Sequence, residues 1–311
     1  ADDEPLALAN ARMSLANVRM QEGRSDEAIA EMVSAVELSR AHLPPGDQRL
    51  PVALFNLGAA EFSVGRYAEA QPHLDEAIAL TEALQGNDSA ALIPLLDFAM
   101  SNLDALGRHT EGAAAAQRLL ELANGTYPEA HPQKASARME VGYHAIRAGD
   151  AAAGRRTLDE GIAMARELGS PLEVLGWRLL ARGLAATGNW EAVASAAREG
   201  QARCAALGQS TRSRCFEIEA LGLRSALALG TNPPDLGRVD ALDAAIAAAG
   251  AGGDAPLAAL ELRAEVLLAA GRRDEGVAAL RELAERLGQR YPAGHRDRIA
   301  LETRIAAFGA P

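Results

Sequence analysis

The sequence has few of the residue types on which many binding and catalytic sites depend. Of its 31 lysine and arginine residues only Lys134 is a lysine, and it does not follow a glycine. A phosphate-binding P-loop, which needs a Gly-Lys pair, is therefore excluded. No stretch of about 18 uninterrupted apolar residues occurs, so the sequence predicts no insertion into a membrane. We interpret the scarcity of lysine as GC-rich coding bias, which favours a bacterial origin.

The usual catalytic and metal-binding patterns are also missing. The six histidines are scattered singly, without a His-Glu-x-x-His pair, and the two cysteines lack the short spacing of a zinc knuckle. There is no Gly-x-Ser-x-Gly elbow, and the glycines of residues 250–253 do not fit the dinucleotide-binding pattern. The sequence therefore predicts no catalytic residue, no metal site and no cofactor, and we expect a protein that is not an enzyme.

The net charge of the chain also limits the classes of partner that it can bind. The net charge is −11 and the calculated pI is about 5.1, which argues against nucleic acid as a partner because its phosphates would be repelled. Alanine, leucine, glutamate and arginine dominate, and no β-branched residues alternate at period two, so the composition predicts helices and no sheet.

The sequence alone does not decide the cellular compartment or the oligomeric state. Cys204 and Cys215 flank a predicted turn at 208–210 and could form a disulfide across it. Packed helices usually hold Cα atoms farther apart than a disulfide allows, so we favour two buried thiols. The first residues, 1–5, suit either a mature protein released from a signal peptide or a trimmed chain. We lean towards an exported or periplasmic protein over a cytoplasmic one; the sequence does not decide between monomer and homodimer.

What the sequence does contain is a repeat. Similar glycines recur at steps of 42, 42, 42, 39, 42 and 41 residues: Gly23, Gly65, Gly107, Gly149, Gly188, Gly230 and Gly271. A glycine tolerates positive φ and ends a helix at low cost, and Ser, Asp or Asn after it can begin the next helix. The pattern predicts an array of helical hairpins, each with a helix A before the glycine and a helix B after it.

The residues of the second repeat resemble the motif of a known family. Asn56-Leu57-Gly58, the segment 65–70 (Gly-Arg-Tyr-Ala-Glu-Ala) and Ala77 resemble the tetratricopeptide repeat motif. The 42-residue step, and the Gly…His-Pro segment 125–132, are similar to its kinesin-light-chain-like variety. The resemblance implies a single all-α domain, a right-handed α-solenoid of about seven hairpins with a C-terminal capping helix. The expected units are 6–43, 47–86, 89–125, 131–169, 171–208, 211–250 and 256–290, with the cap at 293–308.

The resemblance also implies a function. In this family the A helices line a concave groove that binds a protein or peptide segment, and we expect a non-catalytic scaffold or adaptor of that kind. The alternative is a ligand-responsive receptor or sensor domain of a larger bacterial signalling system. Helical phase predicts the groove residues Met13, Asn17, Met20, Phe55, Asn56, Phe62, Phe98, Ser101, Met139, Tyr143, Arg147, Arg178 and Arg182.

Several of these residues have a second interpretation. Phe62 and Phe98 suit either the groove or the core. Asn17 and Asn56 resemble asparagines that clamp a peptide, but Met13, Pro94 and Phe98 stand where basic partners would be expected, so recognition of a C-terminal carboxylate is not predicted. The three arginines could form a patch for an acidic peptide or could be ordinary solvated side chains.

Overall fold

The computed structural model describes residues 3–210, 212–251, 254–290 and 296–309. These residues form helices joined by short turns and include no strand, so the all-α prediction is confirmed. In chain order the helices are Asp3–Gln21 (α1), Ser25–His42 (α2), Arg49–Ser63 (α3), Tyr67–Gln85 (α4), Leu92–Ala105 (α5), His109–Thr126 (α6), Pro132–Arg147 (α7), Ala151–Glu167 (α8), Glu173–Ala186 (α9), Trp190–Ala206 (α10), Ser213–Leu229 (α11), Leu236–Ala248 (α12), Ala255–Ala269 (α13), Arg273–Arg290 (α14) and Arg296–Gly309 (α15).

The chain divides into two compact units between Thr126 and Tyr127. The first contains α1 to α6, and the second contains α7 to α15 except for the terminal residues Arg290 and Arg296. The single domain and its seven repeat units remain a prediction. The predicted cap begins at 293–295, which lie outside the described residues.

The recurring glycines stand at the turns. All seven have positive φ, between 63° and 105°. At Gly65 the N–H of the glycine donates to the carbonyl of Phe62 at 3.0 Å, and the next N–H, of Arg66, donates to the carbonyl of Glu61 at 2.9 Å. These two hydrogen bonds satisfy carbonyls that the end of α3 would otherwise leave without a partner. The start of the following helix varies: Asp150 and Asn189 cap α8 and α10 through their side chains, whereas Arg66 makes no such cap on α4.

Small residues let the two helices of a hairpin approach closely. A Cβ atom added to Gly142 of α7 would lie 2.5 Å from the carbonyl oxygen of Gly154 of α8, and one added to Gly58 would lie 2.9 Å from Leu74 Cγ. Around these contacts each unit has its own hydrophobic clusters. One cluster of the first unit is centred on Leu54 and Leu57, and one of the second on residues 135–196.

The sixth hairpin departs from the others. Its turn contains two prolines and Asn232, the one non-glycine residue with positive φ (51°) among those described. Asp235 then caps α12 by accepting from the N–H of Arg238 at 2.9 Å. α12 packs mainly on α13 and only slightly on α11.

The cysteines form a disulfide, so the preference for two buried thiols was wrong. The Cα atoms of Cys204 and Cys215 are 6.1 Å apart. Cys204 lies in the last turn of α10 and Cys215 in the first turn of α11, where the short connection holds the two backbones closer together than the middles of packed helices.

Candidate functional site

An open cleft lies between the first and third helices of the first unit. It encloses about 340 Å³ and is bordered by α1, the end of α2 and the start of α3. Two of the predicted site residues, Met13 and Asn56, line it together with Leu6, Ala9, Asn10, Ala35, Ser39, Leu43, Gln48, Arg49, Val52 and Ala53. We call this feature the α1–α3 cleft. Its apolar residues come from α1, α2, α3 and the start of the turn after α2.

Three amide side chains stand at the rim of the α1–α3 cleft. Asn10, Gln48 and Asn56 are exposed, and within the described residues their side chains make no hydrogen bond to the protein. A primary amide offers both donors and an acceptor, the complement of a peptide backbone. Asn17, two turns farther along α1 than Asn10, is exposed as well, although it does not line the cleft.

The α1–α3 cleft contains one cationic side chain, and a neighbour neutralises it. Arg49 donates to the carboxylate of Asp47 at 2.9 and 2.7 Å. These hydrogen bonds, with one from the backbone N–H of Arg49, lower the pKa of Asp47 to about 2. The pair is therefore charged at neutral pH and supplies no net positive charge for a terminal carboxylate.

The predicted aromatic residues form a cluster in the first unit. Phe98 meets Phe55 and Phe62 edge-on, with ring centroids 5.2 and 5.7 Å apart, and Phe62 also lies 5.4 Å from Tyr67. Phe55, Phe62 and Phe98 are half-buried against the core cluster of Ala70, Leu74 and Ala99. Each ring therefore packs against the core on one side and is partly exposed. Tyr67 was not predicted, although an aromatic residue directly after Gly-Arg could have indicated it.

The other predicted residues of the first unit lie beside these two features. Met13 and Met20 are half-buried and pack on the core cluster around Leu54 and Leu57. Ser101 is half-buried on α5, one turn after Phe98. The structure thus brings Met13 and Asn56 together in the cleft and brings the phenylalanines together in the cluster.

In the second unit the structure places part of the predicted surface inside the core. Met139 is fully buried and Tyr143 is 3% exposed; both belong to the core cluster of residues 135–196. The guanidinium groups of Arg147 and Arg182 lie 5.9 and 5.7 Å from the centre of the Tyr143 ring, close enough for cation–π attraction. Tyr143 therefore acts mainly as a packing residue that orders two arginines.

Arg178 is held by an acidic residue of the next A helix. Its Nε donates to Glu217 of α11 at 2.6 Å, and both side chains are largely buried. A similar arrangement recurs one hairpin on, where Arg224 donates to Glu265 at 2.8 Å and lies 3.3 Å from Glu261. We call these contacts the arginine–glutamate ladder. Arg178 is a member of this ladder rather than a solvated arginine.

Two members of the ladder, Arg224 and Glu261, have shifted pKa values. Burial lowers the pKa of Arg224, but Glu261 and Glu265 more than offset this, so the pKa is raised. Burial raises the pKa of Glu261, against the lowering effect of Arg224. Arg304 of α15 approaches the same two carboxylates at 3.8 and 3.6 Å. The arginines and glutamates of the ladder, on α9, α11, α13 and α15, therefore largely neutralise one another.

The glutamates of the ladder were not predicted, although the sequence contains a pattern that indicates them. The paired residues are 39 residues apart for Arg178 with Glu217 and 41 for Arg224 with Glu265, close to one repeat. Arg66 pairs with Asp26 across 40 residues in the first unit. Opposite charges separated by one repeat length would have indicated these contacts.

The described residues also bear on metal binding and on membrane insertion. Within the described ranges, no group of three or more His, Cys, Asp or Glu side chains is placed to hold a metal ion. Among the helices described, none has both the length and the apolar character needed to cross a bilayer.

Comparison with known proteins identifies the repeats. Residues 7–83, from α1 to the last turns of α4, match the model of the tetratricopeptide repeat family. Over this segment the chain is similar to tetratricopeptide repeats (TPR). No curated protein sequence matches it significantly.

Solved structures extend the likeness beyond the matched TPR segment. A TPR protein from Parabacteroides merdae is 13% identical with a TM-score of 0.59, covering 98% of this chain and 100% of that one. Kinesin-light-chain TPR-like repeats from Podosopora anserina are 17% identical with a TM-score of 0.57, covering 66% and 98%. A Rap protein in complex with Competence and Sporulation Factor is 14% identical with a TM-score of 0.54, covering 96% and 75%. At these identities the likeness shows the fold alone: the predicted α-solenoid of TPR-like hairpins is confirmed.

Proposed function

We propose that the protein is a non-catalytic scaffold that binds an extended segment of a partner protein in the α1–α3 cleft. The observation that carries this proposal is the combination of an apolar floor with three exposed amide side chains whose hydrogen-bonding groups are unused by the described protein. An extended peptide presents backbone N–H and C=O groups to such amides and apolar side chains to such a floor.

The residues of the cleft also indicate which kind of partner segment it would bind. Since Asp47 neutralises Arg49, the cleft suits an internal, uncharged stretch of chain better than a C-terminal carboxylate. Met13 and Val52 offer an apolar surface, and the flexible thioether of methionine adapts to more than one side chain. We therefore expect a short motif with one or two aliphatic or aromatic residues and no requirement for a free terminus.

The aromatic cluster of the same unit gives a segment a second contact. Phe55, next to Asn56 on α3, leaves part of its ring exposed, as do Phe62 and Phe98. Aromatic rings of this kind are common anchors in protein interfaces. A Rap protein of similar fold forms a complex with Competence and Sporulation Factor, which supports a binding role for a fold of this kind.

Peptide display with the full chain tests the proposal. Peptides selected on the wild-type protein would be measured by isothermal titration against Asn56→Ala and Met13→Glu. We expect Asn56→Ala to weaken binding about three- to tenfold, because neutral hydrogen bonds are lost. Met13→Glu should weaken it more than about tenfold, because it places a charge on the apolar floor.

Asn124→Ala is the matched control, since Asn124 is an exposed amide on α6 outside the cleft. It should leave the affinity unchanged. Selected peptides that bind all three variants as tightly as the wild type would show that the segment lies elsewhere. Circular dichroism of each variant would confirm that the helices are intact.

A further inference from the structure

A second cavity lies in the second unit, at the irregular sixth hairpin. It encloses about 440 Å³ and is bordered by α10, α11 and the first turn of α12. Small residues of the two long helices, among them Ala197 and Gly222, leave room along its walls. Because α12 packs mainly on α13, the space beside α11 stays open. The volume falls within the range of about 300–1,000 Å³ usual for small-molecule sites.

Three charged side chains line this cavity without a hydrogen-bonded partner in the described protein. Arg198 of α10, Glu219 of α11 and Arg238 of α12 border it, and none of their side chains makes a hydrogen bond or ion pair with the described residues. This is unusual in a chain whose arginines mostly pair with carboxylates, as in the arginine–glutamate ladder.

Glu219 is the most informative of the three. Its side chain is half-buried, and burial raises its pKa, with Arg238 acting in the opposite direction. A carboxylate that loses water without gaining a hydrogen-bond donor is costly. A ligand that brings an ammonium group to Glu219 would remove that cost. Arg198 and Arg238 in turn offer guanidinium groups that suit carboxylates.

We propose that this cavity binds a free amino acid, with its ammonium group at Glu219 and its carboxylates at Arg198 and Arg238. Two arginines and one glutamate leave a net charge of +1, which an acidic amino acid with two carboxylates and one ammonium balances. Glutamate is therefore the expected best ligand, followed by aspartate. The site is separate from the α1–α3 cleft, so either assignment can fail without the other.

The geometry gives this site a rigid wall. The disulfide between Cys204 and Cys215 lines the cavity and joins the end of α10 to the start of α11. Arg198 and Glu219 stand on the two helices that the disulfide connects. Side chains held on rigid elements are better placed to recognise a small ligand than side chains on a mobile loop.

Isothermal titration of the full chain under non-reducing conditions tests the proposal. The ligands would be L-glutamate and L-aspartate, with N-acetyl-L-glutamate, which lacks the ammonium group, and putrescine, which lacks carboxylates. We expect L-glutamate to bind and the two incomplete analogues to bind at least about tenfold more weakly. Absence of binding by both amino acids at millimolar concentration would overturn the proposal. So would equal binding of L-glutamate and its N-acetyl form.

Variants locate the ligand in the cavity. Glu219→Gln keeps the shape of the side chain and removes its charge. Arg238→Gln replaces an exposed arginine with a shorter, uncharged polar side chain. Each should weaken L-glutamate binding about tenfold or more. Arg156→Gln, at an exposed arginine of α8 outside the cavity, is the matched control and should bind normally. Unchanged affinity in both Glu219→Gln and Arg238→Gln would place the ligand elsewhere and contradict the assignment.

Discussion

At the scale of single residues, one histidine makes the stability of the first unit depend on pH. Nδ1 of His73 on α4 lies 2.7 Å from a carboxylate oxygen of Glu61 on α3, and the Glu61 side chain is 4% exposed. The hydrogen bond to Glu61 raises the pKa of His73, which burial alone would lower. The protonated imidazole is thus stabilised in the folded protein more than in the unfolded chain.

The sign of the pH dependence follows from this shift. A group whose pKa is higher in the folded state contributes its full stability below the unfolded pKa, near 6.5 for histidine. The contribution is lost as the pH rises through the folded value. We therefore predict that His73→Gln lowers the free energy of unfolding at pH 5.5, by on the order of 1 kcal/mol, and by less at pH 9. Urea unfolding at the two values measures the difference.

His42→Gln provides the comparison. His42 is exposed in the last turn of α2, and its imidazole makes no hydrogen bond with the described residues. The effect of His42→Gln should therefore differ less between pH 5.5 and pH 9 than the effect of His73→Gln, because His42 has no carboxylate partner. A His73→Gln effect that is equally large at both pH values would contradict the proposed charge on His73.

At the scale of helical pairs, the closest approach between α7 and α8 depends on two glycines. A Cβ at position 142 would meet the carbonyl oxygen of Gly154 at 2.5 Å and the N–H nitrogen of Leu158 at 2.6 Å. Backbone atoms cannot move aside as a flexible side chain can. We predict that Gly142→Ala lowers the free energy of unfolding by about 1–3 kcal/mol or more, since the two helices must separate.

Gly125 offers a control of the same chemistry. It lies in the last turn of α6, and an added Cβ would meet no atom within 4 Å. There Gly125→Ala should be neutral or stabilise the protein by up to about 1 kcal/mol, because alanine favours the helix. Chemical denaturation of both variants tests the pair. A loss of stability in Gly125→Ala that equals that in Gly142→Ala would indicate that helix contact is not the cause.

The same scale shows what the sequence could predict and what it could not. A glycine with positive φ is a local requirement, so the spacing of Gly23 to Gly271 identified the hairpin turns. The disulfide was missed because the 6.1 Å between the Cα atoms of Cys204 and Cys215 depends on how two helix ends meet. General helix packing does not determine that distance.

The candidate site shows the same limit. Met139 and Glu140 are neighbours on α7, yet Met139 is fully buried and Glu140 is half-buried. Successive side chains point about 100° apart around a helix. A small error in the predicted helical phase therefore assigns a buried residue to the wall of the groove. The pairing of Arg178 with Glu217 needed the register between successive hairpins, which a single helix does not contain. Asn56 is exposed on α3, and its role in a groove stays a prediction.

At the scale of the whole molecule, stability is distributed over separate clusters. Leu74 is fully buried in a cluster of the first unit, and Leu180 is 1% exposed in a cluster of the second. In repeat proteins each hairpin is stabilised chiefly by its immediate neighbours. A defect in one cluster should therefore open the helices around it before it opens distant ones.

Hydrogen exchange of the full chain tests this distribution. Leu74→Ala removes part of a buried side chain and should cost about 2–5 kcal/mol. We predict faster amide exchange in α3, α4 and α5, while α7 to α10 exchange at wild-type rates. Leu180→Ala is the reciprocal variant and should accelerate exchange in α7 to α10 while α3 to α5 are unaffected. If either substitution accelerates exchange equally in both units, the chain unfolds as one cooperative body, and the nearest-neighbour account of its stability is wrong.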